Sequence, residues 1–149
     1  MMNSDKFRMP QAGSKVTAAG VRHVMLTYHY LDIGDIDGYA SLTEQNVTLD
    51  HPGAPPYRGR DAVLSAHAAQ ATLLRRHELD TVVADEGRVV VLGRVVRQAP
   101  GTARGAAYDV DFADVFTLSG QTLVRECRRY YYAPPSNGLP THPEHPAAE

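Results

Sequence analysis

Apolar side chains recur at helical spacing early in the chain. Val21, Val24, Met25, Tyr28 and Leu31 share one face, while Arg22, His23, His29 and Asp32 fall elsewhere, which predicts a long amphipathic helix. Gly34 predicts its end. Asp35-Ile36-Asp37-Gly38-Tyr39-Ala40-Ser41-Leu42 predicts a shorter second helix, its early acids suited to a positive helix N-terminus. Val47-Thr48-Leu49-Asp50 predicts a short strand, closed by His51-Pro52-Gly53-Ala54-Pro55-Pro56, whose prolines forbid both regular helix and central strand. A third helix is predicted from Gly59-Arg60-Asp61 onward, with Val63, Leu64, His67, Ala68, Ala71 and Leu74 near one face. From His77 the period changes to two. Residues 79–84, 88–97, 106–118 and 122–133 are predicted strands, separated by Asp85-Glu86-Gly87, Pro100-Gly101 and Ser119-Gly120 turn signals. Connections this short force antiparallel pairing, and three helices followed by a run of strands is an α+β pattern.

The strand over 88–97 carries Val89, Val91 and Val95 on one face and Val90, Leu92 and Val96 on the other. Both faces therefore call for cover: the helices on one side, and on the other a second copy of the chain, so a homodimer through the sheet is expected.

At 149 residues there is room for one core and not for two. The expected organisation is an N-terminal segment at 1–14, one domain at 15–133, and a Pro-rich tail at 134–149, in which a solvated role for His142 and His145 outweighs metal binding. A hydrophobic fraction of 43% is that of an ordinary globular chain, and no apolar run is long enough to cross a bilayer. The first fifteen residues lack the apolar core of a secretory signal, so the expected location is cytoplasmic. A net charge of −2 gives no electrostatic reason to expect nucleic acid. Arg75-Arg76 and Arg128-Arg129 are expected to be solvated or ion-paired, and the lone Cys127 excludes an internal disulfide.

The candidate chemistry starts with an interruption. In Tyr108, Val110, Phe112, Asp114, Phe116 and Leu118, one carboxylate breaks an apolar stripe, while Asp109 and Asp111 fall on the opposite face. Burying Asp114 ionised and unpaired costs several kcal/mol, so it must be partnered or protonated. It is either a pocket acid or a structural group tied to a core Arg, Tyr or backbone donor. Asp50, at a strand end beside a Pro/Gly loop, is either a general base at a pocket mouth or a loop cap. His51 follows it, and adjacent side chains on an extended backbone diverge.

Gly34-Asp35-Ile36-Asp37-Gly38, then Val47-Thr48-Leu49-Asp50 with Gly53, then Tyr57-Arg58-Gly59-Arg60-Asp61-Ala62-Val63, then Asp114-Val115-Phe116, resemble in their order the SnoaL-like polyketide cyclase and ketosteroid isomerase branch of the nuclear transport factor 2-like superfamily. The likeness spans about residues 21–132. It implies a cone-shaped α+β barrel, three N-terminal helices packed on a curved, mostly antiparallel sheet. It also implies a proton-shuttling base at Asp50 and a neutral acid at Asp114 donating to an oxyanion. The tyrosine donor of the isomerase has its counterpart one residue out of register: Thr27 takes the matching place and Tyr28 lies in the apolar stripe, either as a donor or as a core tyrosine. This departure argues against steroid isomerisation itself.

The resemblance implies a cyclase or isomerase without metal or organic cofactor, acting on a hydrophobic polyketide-like intermediate of bacterial antibiotic biosynthesis, by acid–base catalysis or by holding a reactive conformer, pericyclic closure included. Asp114, Asp50 and Tyr28 are its candidate catalytic residues, and His67, His51, Tyr108, Phe112 and Phe116 its candidate substrate contacts. The alternatives are a non-catalytic binding or dimerisation module and an epoxide hydrolase or dehydratase. An epoxide hydrolase of this fold places an Arg between aspartates, and no Arg-x-Asp occurs beside Asp114. The histidines show no metal-ligand spacing, and there is no Gly-x-Ser-x-Gly elbow.

Overall fold

The computed structural model describes residues 15–70, 74–98 and 108–132. Its first helix, α1 (Lys15–Ile33), buries Val21, Val24 and Tyr28, the stripe the periodicity marks. Gly34 ends it at φ +78°, a left-handed conformation that costs glycine little. The Asp35 side chain then accepts from the Gly38 backbone N–H at 2.9 Å, capping α2 (Ile36–Ala40).

The chain continues through β1 (Thr43–Asp50), the two-residue β2 (Tyr57–Arg58), α3 (Arg60–Ala69), β3 (Leu74–Asp85), β4 (Arg88–Gln98), β5 (Tyr108–Leu118) and β6 (Val124–Tyr132). All six strands form one sheet in the order β2-β1-β6-β5-β4-β3. Strands β3 to β6 are an antiparallel meander, as their short turns require, whereas β1 runs parallel to β6, a long-range pairing that local pattern does not reveal. Three helices thus pack on a mostly antiparallel, curved sheet, the α+β cone that the element order predicts.

Several boundaries differ from the sequence reading: β1 begins at Thr43, four residues before the predicted strand, and α2 is shorter than predicted. Helix α3 stops at Ala69, and Leu74 opens β3 instead of continuing the helix, so the two-residue period begins earlier than His77. Tyr57 and Arg58 pair with Leu49 and Thr48, making a strand where none is predicted. The predicted N-terminal segment and the Pro-rich tail, with His142 and His145, lie outside the described residues.

Alternation sorts the meander into two faces. Val82, Val89, Val91, Val95, Phe112, Asp114, Phe116, Cys127 and Arg129 are buried on the concave face under the helices. Register places them in rows: Val91 beside Asp114 beside Arg129, and Gly93 beside Phe112 beside Tyr131. Gly93 fills its position because a Cβ there would stand 2.6 Å from the Glu78 carbonyl oxygen, next to a register shift at Leu79–Thr81. On the convex face Val83, Leu92, Tyr130 and Tyr132 are exposed in the single chain.

Candidate active site

Asp114 is buried on β5, and it is partnered. Its cross-strand neighbour Arg129 donates from Nε to Oδ1 and from an η-nitrogen to Oδ2, both at 2.7 Å, and the Tyr28 hydroxyl on α1 donates to Oδ2 at 2.6 Å. This corrects the expectation of a neutral acid: a carboxyl group accepting three bonds, two from a guanidinium, has no proton to give to an oxyanion. Arg129 also lies over the Phe112 ring, 4.2 Å from its centroid. Burial works against the guanidinium charge, but the hydrogen bonds and charge of Asp114 outweigh it and hold Arg129 protonated above its ordinary value. Burial, followed by the Asp114 charge, pushes the Tyr28 phenol well above its ordinary range, so it keeps the proton it donates to Asp114. Tyr28 is therefore an inward tyrosine with its hydroxyl satisfied, while Thr27 returns its own hydroxyl to the His23 carbonyl.

A second polar pair stands beside this trio. Asp32, in the last turn of α1, receives both the backbone N–H of His77 at 3.0 Å and its Nδ1 at 2.6 Å. A carboxylate only accepts, so Nδ1 carries the proton, and in the neutral ring Nε2 keeps its lone pair. The imidazole is nearly enclosed, its side chain 2% exposed, and it makes edge contacts with Tyr28 and Phe112 at centroid distances of 5.0 and 5.8 Å. Burial lowers its pKa below 6.5; the hydrogen bond to Asp32 opposes this, and the Arg129 charge adds to the lowering. The net lowering favours the neutral imidazole at pH 7.

Both members of the pair border a cleft of about 980 Å³ that runs between α1 and β3 to β6, with Met25, Tyr28, Leu79 and Phe112 among its walls. Asp114 and Arg129 are not in the lining; they lie behind Tyr28 and Phe112. The cleft is bounded by both sheet faces, because Arg94, Asp111 and Tyr132 on the convex side also border it.

The remaining candidates are scattered. His67 on α3 is buried, its Nε2 3.1 Å from the Tyr39 hydroxyl and its ring edge-on to that tyrosine. His51 is half-buried beyond β1. Phe112 and Phe116 lie inward around Tyr28; the side chain of Tyr108 is outside the described residues. Asp50 is not brought to this interior. It pairs with Arg128 at 3.1 Å on the convex side, where the arginine side chain is 51% exposed. Sequence reasoning missed Asp32, His77 and Arg129, because each acquires its meaning from a partner 15 or 45 residues away. Among the described residues no group of three His, Cys, Asp or Glu side chains gathers as a metal site.

The buried His67 and the half-buried His51 make a prediction. Burial, then the Arg75 charge, lowers the His67 pKa to about 3, and burial, then Arg129, lowers His51 to about 4. Their contribution to stability is therefore complete above the unfolded value of about 6.5 and is lost as pH falls through 4 and 3, where unfolding takes up protons. Urea midpoints are expected to fall between pH 7 and pH 4 by the equivalent of roughly 3 kcal/mol for each of the two histidines, with a visibly flatter profile in His67→Gln. An unchanged slope in that variant contradicts the assignment.

Comparison with known proteins agrees with the architecture. The sequence matches the SnoaL-like domain family over residues 24–126. No curated protein sequence matches it. Among solved structures, a proposed SnoaL-like polyketide cyclase from Jannaschia sp. CCS1 is 18% identical, covering 81% of this chain and 90% of that one with a TM-score of 0.71. SalBIII, an epoxide hydrolase/cyclase-like enzyme with a role in pyran ring formation in the polyether salinomycin, is 19% identical over 77% of this chain and 92% of its own, with a TM-score of 0.69. An LEH-like epoxide hydrolase of M. tuberculosis is 14% identical over 78% and 84%, with a TM-score of 0.69. At these identities the likeness is one of fold.

Proposed function

The chain belongs to the SnoaL-like domain family, and on that premise we propose that it is a cofactor-independent cyclase or isomerase for a hydrophobic, polyketide-like carbonyl compound of bacterial secondary metabolism, with His77 as its base. The observation that carries the reading is the His77–Asp32 pair at the cleft wall. Nε2 takes a proton from the carbon beside a substrate carbonyl; Asp32 holds the productive tautomer and stabilises the imidazolium that forms. The same nitrogen returns the proton elsewhere on the substrate, completing an isomerisation or following a ring closure. Met25, Leu79 and Phe112 hold the chain near its reactive conformer. Tyr28, Asp114 and Arg129 make the rigid floor on which His77 is set. Asp50, tied to Arg128, takes no part. With His77 as base, kcat/KM on β-ketoacyl thioesters is expected to be flat above pH 7, with one acid limb whose midpoint lies below 6.5. An acid limb above 6.5, or none, counts against it.

Epoxide opening is a second reading, favoured by one observation. The β5–β6 register supplies from the neighbouring strand the guanidinium that an Arg-x-Asp motif would supply from the same one, and Arg129 meets Asp114 with Tyr28 alongside. Hydrolysis of an epoxide-bearing analogue with no turnover of the keto compound selects this alternative.

The convex face supports a homodimer. Leu92, Ala113 and Tyr130 form one cross-strand row, with Val83, Val90 and Val115 in the next. A charge at the centre of this face, Leu92→Asp, is expected to shift the mass by light scattering from dimer to monomer at micromolar concentration while far-UV circular dichroism is unchanged. A wild-type monomer at the same concentration overturns the interface.

A further inference from the structure

Two arginines face each other on the concave side with no acid paired to either among the described residues. Arg75 on β3 and Arg97 on β4 are cross-strand partners, two residues along from the buried pair His77 and Val95, so alternation turns both inward. Both are half-buried. Arg75 donates one bond, to the Gln70 amide oxygen at 2.6 Å. Asp32, whose charge reaches Arg75, is already held by His77. No carboxylate lies within ion-pair distance of either arginine among the described residues. The other sheet arginines differ: Arg76, Arg94, Arg128 and Arg129 pair with acids, and Arg58, Arg88 and Arg125 stand in solvent.

Like charges set directly opposite on a sheet face repel. Burial, followed by the Arg97 charge, correspondingly lowers the Arg75 pKa. A repulsive pair on a half-buried face is balanced by an anion placed between the two forks, and guanidiniums match the geometry of a carboxylate. The next row along this face carries Val95, which is apolar and buried, and Val110, which suits an anion carried on a hydrophobic body better than a free hydrated ion.

We propose that Arg75 and Arg97 form an oxyanion subsite that grips the carboxylate of an otherwise apolar substrate and so fixes how it lies against His77. Side chains two apart on one strand face are roughly 7 Å from each other. A carboxylate anchored at Arg75 therefore brings a carbon a few bonds along the chain to the imidazole. The substrate class rests on the reading of His77 as the base; the anion subsite itself does not.

Calorimetric titration of the full chain with decanoate, decanol and inorganic phosphate tests it. Decanoate is expected to bind at least ten-fold more tightly than decanol, and both Arg75→Gln and Arg97→Gln are expected to abolish that preference. Ligand-free Arg97→Gln is expected to melt about 2 °C higher than the wild type, since a repulsion is removed. A purely structural arginine would lower it instead. Equal affinity for decanoate and decanol, a preference that survives the double variant, or phosphate binding as tightly as decanoate overturns the proposal. His77→Asn keeps the decanoate preference, so loss of its turnover reports on the base alone and the two readings fail separately.

Discussion

Arg129→Met is expected to destabilise the protein by about 3–5 kcal/mol, because it leaves a buried carboxylate without its counter-ion. Asp114 is 1% exposed and receives two of its three hydrogen bonds from this guanidinium. Tyr28 alone cannot compensate a full charge with Val91 beside it across the sheet and Phe116 next along its own strand face. The loss is in the pairing, not in the volume: Met is close in length to the arginine stem and keeps the contact with Phe112. The double variant Arg129→Met with Asp114→Leu is accordingly expected to recover most of the stability, since replacing both members of a buried pair by apolar groups is close to neutral. Asp114→Asn strands the arginine and is expected to destabilise as well, by a smaller amount because an amide still accepts from Arg129. Urea denaturation of the four proteins decides it. If the single and double variants lose equally, the pair is not the source of the effect.

The second large effect concerns turnover. His77→Asn is expected to lower kcat on the substrate by about two to four orders of magnitude, the usual worth of a positioned general base. The fold should survive, because Asp32 keeps the backbone N–H of residue 77 and is itself 22% exposed on its side chain. Asp32→Asn is expected to cost nearly as much with no change at position 77. An amide can offer Nδ1 its N–H as readily as its oxygen, which frees the imidazole to hold its proton on Nε2, the wrong nitrogen for a base. A kcat within three-fold of wild type for either variant rules out the dyad.

Much of the architecture is legible in the sequence because it is periodic. The stripe Val21, Val24, Tyr28 and the alternation around Asp114 are local signals, and the burial of each follows them. The helix boundary at Gly34 is equally local, being a matter of one backbone angle. What periodicity does not carry is register across the sheet. Nothing near Asp114 in sequence names Arg129 as its partner; the β5–β6 ladder does. The expectation of a protonated Asp114 had the right premise, a buried acid needing relief, and lacked the knowledge of which relief was used. Asp32 reads as an off-stripe acid and His77 as one histidine among seven, until the chain turns and places β3 against the end of α1. Asp50 illustrates the converse. Its position at a strand end is a good predictor of a loop mouth, but which side of the sheet it faces depends on one residue of alternation, and that residue turns it toward Arg128.

Asp32 keeps His77 neutral and protonated on Nδ1, leaving Nε2 as the nitrogen free to take a proton. Long-range ¹H–¹⁵N correlation spectra of the imidazole, recorded from pH 8 down to pH 5, test it without any substrate. The His77 cross-peaks are expected to show the Nδ1–H tautomer at pH 7 and to titrate with a midpoint below 6.5, and Asp32→Asn is expected to change the tautomer. An Nε2–H tautomer in the wild type, or an imidazolium at pH 7, would contradict it.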